Sequence, residues 1–431
     1  MKIILAIASI FLCVCETTTE DAAPKRVLVL GGNGFLGSET VENLMDNYYE
    51  VTILNRGNKY FDSDKRIDAY VKHRIICDRD TLIRKTCPTL AKSGKYDAVI
   101  DFSAYTPMQM ESMIDALRGK TSLYIYISTD AIYEVCEKTH KNRTTEKDGI
   151  RPEERTLRDK LASNSKYGDQ KLACEEALKE QRERGGFPYV ILRLADAIGP
   201  RDTTSRLWTY QVWVKLHKAL NLPIHLPEGI ENKTFSFVYS KDVAKAIIEV
   251  LKSGKEIHDK TLNLAMNEPL TLGYLLRGIS KYLDVGDLLL NTSDTNAWYR
   301  FPTTDLGPLD TSLAKHLINW EPTPLDVALN ETFSFNEDAM LDPVFVKERE
   351  IMLAGFVEDI LIEEMQDDDI LERTLVDAYG PAVLEGIDLG LEFDPEQPKI
   401  EEGEKGAGNG DYINRKGMSV VKEHCDKKNM R

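Results

Sequence analysis

Val27-Leu-Val-Leu-Gly-Gly-Asn-Gly-Phe-Leu-Gly37 decides how the rest of the chain is read. Its first four residues favour an extended strand, and the apolar spacing of Val41, Leu44 and Met45 beyond it predicts a helix. A strand that ends in Gly31-Gly32-x-Gly34-x-x-Gly37 and feeds a helix brings bare backbone N–H groups to a helix N-terminus. That is where a dinucleotide pyrophosphate binds. The glycines permit the tight turn, the close approach of phosphate and the packing of helix on strand, with Phe35 and Leu36 lying between the last two of them. A second strand, residues 51–54, follows at the distance such a unit needs.

Composition bounds the remainder. The chain has 431 residues, 42% of them hydrophobic, enough for a sizeable core and about two domains. Its net charge of −16 is concentrated at one end: residues 337–431 carry 25 acidic against 11 basic side chains, which is −14 of the total, and the first 21 residues contribute −2. The body between them is neutral, which argues against a basic nucleic-acid face as the main function. Lys2 followed by the apolar residues 3–14 reads as a secretory signal ending near residue 22, since a run of about twelve residues is too short to span a bilayer. The secretory pathway, ER lumen or extracellular, is the expected location. No later stretch has 18 continuous apolar residues, so no membrane span is expected. Asn142, Asn232, Asn291 and Asn330 begin N-x-S/T sequons and give this route mild support. Past the signal, Cys77, Cys87, Cys136, Cys174 and Cys425 are odd in number and show no metal-ligand spacing. They are expected to be mostly free or buried thiols, with at most one or two disulfides and no metal.

Further strand-like runs at residues 74–77, 96–100, 123–127 and 189–192 alternate with helical patterns such as 108–117 and 170–184. This alternation predicts an α/β fold, a Rossmann-type doubly wound parallel sheet over residues 23–198. The polar stretch 134–165 reads as a long loop, a lid or surface insertion. Residues 199–336 read as a smaller substrate lobe, with pieces such as 242–251 returning to the main sheet. Residues 337–392 read as a helical acidic extension, with Ile351, Met352, Phe356, Ile360, Leu361 and Met365 apolar and Asp367-Asp-Asp369 interrupting. Residues 393–431 are polar and expected to be disordered. A chain ending near Asp338 is expected to fold and bind cofactor, with Phe356 and Ile360 available to dock the extension on the body.

Two more motifs carry chemistry. Tyr167 and Lys171 stand four apart where a helix begins and so share a face. A lysine cation beside a phenol favours phenolate and would lower the tyrosine pKa towards neutrality. Such a tyrosine can exchange a proton with a hydroxyl while hydride moves to or from a nicotinamide. Ile127-Ser-Thr-Asp-Ala-Ile-Tyr133 ends the fifth strand at the edge where doubly wound sheets bind ligands, and the Thr129 hydroxyl there can bond a reacting oxygen.

Together these residues resemble the extended short-chain dehydrogenase/reductase superfamily, in its NAD-dependent epimerase/dehydratase branch, over residues 26–335. The resemblance implies that Gly31, Gly34 and Gly37 are the dinucleotide fingerprint and that Asp78 contacts adenine. It implies that Thr129, Tyr167 and Lys171 are catalytic, with Lys171 also holding the nicotinamide ribose. Leu192-Arg193 leading to Gly199-Pro200, Phe237 through Val243, and Asn319-Trp-Glu-Pro322 are similar to later signatures of that family. Departures accompany the likeness. Asp196 stands where the nucleotide-sugar enzymes have Asn, Phe235 where they have Arg, and Ala131 where the dehydratases have Glu after Thr-Asp. A carboxylate at Asp196 would repel a diphosphate, and the missing Glu argues against a standard 4,6-dehydratase. Residues 100–107 and 199–206 resemble a less characterised reductase/epimerase-like subgroup. Its relatives include chloroplast stem-loop RNA-binding proteins, so an inactive module binding RNA or a protein is the alternative.

At the end of the second strand, Asn55 removes the carboxylate that would bind the ribose of NAD, and Arg56 is suited to a 2′-phosphate. NADP is therefore favoured over NAD. The reading is an NAD(P)-dependent oxidoreductase or epimerase acting on a secondary alcohol or ketone, a sugar derivative among the candidates. A small-molecule substrate and a homodimer are the expected partners, and nucleic acid is not.

Overall fold

The computed structural model describes residues 25–387 and 389, apart from 81–82, 139, 294–296, 298 and 362–367. The signal stretch, Met365, Asp367, Cys425 and the polar tail lie outside the described residues. Seven strands form one sheet: β1 (Arg26–Leu30), β2 (Glu50–Asn55), β3 (His73–Ile76), β4 (Ala98–Asp101), β5 (Tyr124–Thr129), β6 (Tyr189–Leu194) and the strand Lys260–Leu264. Their order across the sheet is Lys260–Leu264, β6, β5, β4, β1, β2, β3, and every pairing is parallel. The chain winds outward from β1 in both directions. The order therefore reverses between β1 and β4, and a crevice opens beyond their carboxyl ends.

Side chains alternate across the sheet. Val27, Val29, Ile53, Ile100, Ile125 and Ile127 enter one core, while Leu28, Leu30, Val99, Tyr124 and Tyr126 enter the other. Because both faces are covered, β4 and β6 are buried along their whole length and read as apolar runs interrupted only by Asp101 and Arg193. The helix α1 (Phe35–Asp46) packs on the helix Ser240–Lys252, which buries Val243, Ile247 and Leu251 on the first face, as the spacing of residues 242–251 predicts. Trp320 closes this returning part, with its indole N–H donated to the Ala265 carbonyl at 2.9 Å.

A third core forms the substrate lobe. It combines Trp208 and Trp213, Leu275 and Leu276, and Leu329 and Phe333 with Phe345, Met352, Leu353, Phe356, Leu361, Leu371, Leu375 and Val383. The break expected after Asn336 falls inside the helix Leu325–Ala339, and the segment that follows is a wall of this core. The charge shift at Glu337 marks only the solvent side, where Asp338, Glu372 and Asp377 are exposed. The polar stretch 134–165 also differs from a free loop. It contains the helix Arg155–Asn164, which buries no residue and so shows no apolar period. Thr144 is bridged to Leu309. Cys77 is joined to Cys87, and Cys136 and Cys174 are buried thiols. Among the described residues no helix is long and apolar enough to cross a membrane.

Candidate active site

The glycine turn sits at the crevice. Gly31 has φ of 80°, which only glycine adopts freely. A Cβ at Gly37 would collide with the Gly31 carbonyl oxygen and stand 2.9 Å from Gly32 Cα, so this glycine lets α1 pack on β1. Gly34 differs. A Cβ there would meet nothing closer than 3.5 Å, so the protein's own packing does not demand glycine. Gly34 caps α1 without any side-chain hydrogen bond, and the first turn of α1 runs from Phe35 and Leu36 to Gly37. A bare position in front of an uncapped helix start fits an anionic group from outside the chain, which is what a dinucleotide pyrophosphate would supply.

At the end of β2, the Asn55 carboxamide oxygen accepts from the Gly57 N–H at 3.0 Å, while its buried Nδ2 has no partner among the described residues. Arg56 is half exposed, 3.7 Å from Asp80, a contact of little energy. Asp78 is exposed beyond β3 and accepts from the Asp80 N–H at 3.0 Å. Its neighbour Arg79 is buried and forks onto Asp101 at 2.6 and 3.0 Å. Burial pushes the Asp101 pKa up, but Arg79 outweighs it and holds the carboxyl below the usual carboxylate range. This pair fastens the segment carrying Asp78 to the end of β4.

Thr129, Tyr167 and Lys171 come together beyond the carboxyl end of β5. Tyr167 and Lys171 lie on the helix Lys166–Glu183, and the Thr129 hydroxyl at the end of β5 is near enough to Tyr167 to work against the rise in its pKa. The lysine does not act as the four-residue spacing suggests. Its Nζ donates to the carbonyls of Ile127 at 2.7 Å and Ala104 at 3.1 Å, and lies 4.4 Å from the centre of the Tyr126 ring and 5.5 Å from that of Tyr105. Burial pushes its pKa down to about 8. The Tyr167 pKa is raised rather than lowered, first by burial and then by Tyr105 and Asp130. The phenol therefore carries its proton at neutral pH. Spacing gives the shared face, but the free carbonyls at the sheet edge decide where the ammonium goes.

Asp130 and Glu175 are the groups that sequence reasoning passed over. Asp130 is buried beside Thr129, and burial, followed by Asp196, drives its pKa well above the carboxylate range. Glu175 lies on the Tyr167 and Lys171 face, one turn further along. It accepts from Ser128 Oγ at 2.7 Å and from Arg193 at 3.0 and 2.7 Å, and both ions are buried. Burial alone would raise the Glu175 pKa, but Arg193 outweighs it and keeps the carboxylate charged. Arg193 continues to Tyr133 at 3.0 Å, and Tyr133 to Asn263 at 2.6 Å, so one polar network joins the ends of β5 and β6 to the helix Lys166–Glu183. A charged residue inside the apolar run of β6 is the sequence signal for it, because a buried arginine requires a partner. Glu175→Gln leaves Arg193 buried without its counter-charge and is expected to cost about 3–5 kcal/mol in denaturant unfolding. A loss below about 1 kcal/mol would contradict that role for the pair.

Two departures from the family pattern look different in three dimensions. Asp196 is not a bare carboxylate: Arg206 donates to it at 2.6 Å, and Thr303 from its N–H at 3.1 Å and its hydroxyl at 2.8 Å. Burial works to discharge Arg206, but Asp196 and Asp202 hold it charged. Phe235 is 2% exposed, its ring 5.1 Å from Phe237 and 6.1 Å from Phe301, so this position belongs to the core of the lobe.

Known proteins resemble this chain in sequence and in fold. Residues 27–265 match the NAD dependent epimerase/dehydratase family. The chain is 24% identical over 332 residues to dTDP-D-glucose 4,6-dehydratase of Bos taurus, spanning 70% of this chain and 85% of that protein. It is 23% identical over 315 residues to UDP-glucuronic acid decarboxylase 1 of Arabidopsis thaliana, spanning 69% and 66%. The crystal structure of UDP-glucuronic acid 4-epimerase from Bacillus cereus in complex with NAD superposes with a TM-score of 0.56 at 19% identity, covering 73% of this chain and 99% of that one. This last likeness shows the fold.

Proposed function

The chain belongs to the NAD dependent epimerase/dehydratase family and is an enzyme of the extended short-chain dehydrogenase type; from this premise we propose that it oxidises a secondary carbinol of a nucleotide-linked sugar or reduces the corresponding ketone. The observation that carries the reading is the convergence of Thr129, Tyr167 and Lys171 beyond β5, beside the glycine turn of β1. Gly31, Gly34 and Gly37 with the start of α1 would hold the pyrophosphate of a nicotinamide dinucleotide, with Asn55, Arg56 and Asp78 at its adenosine end. The bound nicotinamide supplies the hydride acceptor and donor. In the reducing direction Tyr167, protonated at neutral pH, donates its proton to the carbonyl oxygen and is left as phenolate; in the oxidising direction it must first give that proton up, and the phenolate then takes the hydroxyl proton. Thr129 orients that oxygen. Lys171 keeps a positive charge beneath the site and is the residue suited to the nicotinamide ribose.

A nucleotide sugar fits because the carboxylate expected to repel its diphosphate is bonded to Arg206. The relatives named above carry dTDP- and UDP-sugars in their names. Ala131 has no proton-bearing side chain, so elimination of water would lack a partner to Asp130, and the reading favours epimerisation or reduction. Mass spectrometry of what co-purifies with the protein, followed by incubation with UDP-glucose and dTDP-glucose, tests the reading. Retained NAD with formation of an epimer is the epimerase outcome, and an open site that fills with NADPH and consumes a ketosugar is the reductase outcome. A protein that binds no dinucleotide would overturn both.

The finer preference proposed is for NADP(H), from Asn55 and Arg56 at the end of β2. Among the described residues Arg56 is held only by a long contact to Asp80, which leaves its guanidinium available to a 2′-phosphate. Arg56→Ala is expected to weaken NADPH by about 1–3 kcal/mol in calorimetry and to leave NADH little changed. Equal or tighter NADH binding by the wild type would refute the preference.

A further inference from the structure

Phe61, between β2 and β3, is the only side chain N-terminal to Ile198 in the core of the substrate lobe among the described residues. Its ring lies 5.9 Å from Phe335 and 5.7 Å from Phe345, which are 5.3 Å from each other. Its backbone N–H donates to Glu348 Oε1 at 2.8 Å, on the helix Val346–Phe356. Its φ is 48°, a left-handed conformation that a bulky residue keeps only where its surroundings hold it. The next residue, Asp62, accepts from Arg201 at 2.5 and 2.8 Å, and the Arg201 guanidinium lies 5.0 Å from the centre of the Phe335 ring. A strained residue is thus gripped from three directions by the lobe.

The same stretch of chain is tied to the cofactor turn at its other end. Asn33, between the fingerprint glycines, donates its Nδ2 to the Asn58 carbonyl at 3.3 Å, and Asn55 caps Gly57. Residues 56–60 therefore bridge the adenosine end of the dinucleotide site and the wall of the substrate lobe. They lie outside any strand or helix, so their position is set by these two anchors.

We propose that Phe61 and Glu348 form a latch through which the C-terminal helices position the 55–58 loop and so set the affinity for the adenosine end of the dinucleotide. The proposal rests on the dinucleotide reading above. Phe61 and Glu348 are positioning residues and touch no ligand. Opening the latch exposes the Phe61 N–H to water, which satisfies it, so the loop loosens without unfolding of the sheet. The segment 346–356 lies beyond the 27–265 stretch that matches the family, so the latch is a feature of this chain's own C-terminal part.

The test compares the full chain with Glu348→Ala, Glu348→Gln and Phe61→Ala by titration with NADH and with ADP, which presents the adenosine end alone. Glu348→Ala and Phe61→Ala are expected to weaken both ligands by about five- to tenfold, the worth of a hydrogen bond to a charged acceptor incompletely transmitted to the loop. Glu348→Gln keeps an acceptor oxygen and is expected to stay within about twofold of wild type, a rescue that general destabilisation would not give. If Phe61→Ala does not fold, the two Glu348 variants decide. Unchanged ADP affinity in Glu348→Ala, or equal weakening in Glu348→Ala and Glu348→Gln, would overturn the latch while leaving the dinucleotide reading intact. A wild-type protein that binds none of NADPH, NADH and ADP would overturn the dinucleotide reading and the latch with it.

Discussion

Tyr167→Phe is expected to cut turnover by roughly 10²–10⁴, the usual worth of a positioned general acid or base, while keeping the fold and most dinucleotide affinity. The substitution removes one oxygen from a half-buried ring and opens no cavity. The phenol carries its proton because burial, Tyr105 and Asp130 all raise its pKa, so the loss is that of a proton donor aimed at the substrate oxygen. Thr129→Val should cost less, since it removes orientation and leaves the acid. Lys171→Ala should damage both turnover and binding, and stability too, because it leaves the carbonyls of Ala104 and Ile127 without their buried donor. Undiminished turnover in Tyr167→Phe, measured on whichever nucleotide sugar the wild type converts, would remove Tyr167 from the mechanism.

Ending the chain at Asp338 is expected to abolish soluble folded protein. Phe345, Met352, Leu353, Phe356, Leu361, Leu371, Leu375 and Val383 would all be lost from the third core, leaving Trp208, Trp213 and Phe333 uncovered. At about 1.5–3 kcal/mol for each buried apolar side chain, the loss exceeds the stability of an ordinary domain, roughly 5–15 kcal/mol. The reading of charge alone gives the opposite expectation, a dispensable appendage. A soluble, cooperatively unfolding protein ending at Asp338 that binds dinucleotide would show that this wall of the lobe is not required.

The contrast between these two sites shows what was legible. The glycine turn, the alternation of strands and helices and the Tyr167–Lys171 face are written in short-range spacing, and the parallel sheet follows from them because local pattern and global packing agree there. The helix Arg155–Asn164 was illegible because it buries nothing and so leaves no period. The direction of the Lys171 ammonium depends on carbonyls at Ala104 and Ile127, which are far apart in sequence and meet only when β4 and β5 pair. Asp196 looks like a misplaced charge until Arg206, ten residues on, is seen to neutralise it. Phe235 looks like a lost phosphate ligand until its ring is found stacked inside the lobe. At the C-terminal end, the spacing of Met352, Phe356 and Leu361 did carry the signal for burial, but the acidic side chains on the opposite face dominated the composition. Buried charges such as Arg193 and Glu175 are the recoverable case: an ion in the middle of an apolar strand and another on the Tyr167–Lys171 face of a helix each require a partner.

The most direct test of the central claim is transfer of label from substrate carbon to nicotinamide. The wild-type protein would be incubated with dinucleotide and UDP-glucose or dTDP-glucose carrying deuterium on the oxidised carbinol carbon, and the nicotinamide examined by absorbance and mass spectrometry. The account predicts that deuterium appears on the reduced nicotinamide, or returns to the product with inverted configuration, and that Tyr167→Phe suppresses the transfer by the factor given above. Dinucleotide bound normally, with neither label transfer nor change in nicotinamide absorbance for these or other alcohol and ketone substrates, would contradict it and leave a binding module in place of an enzyme.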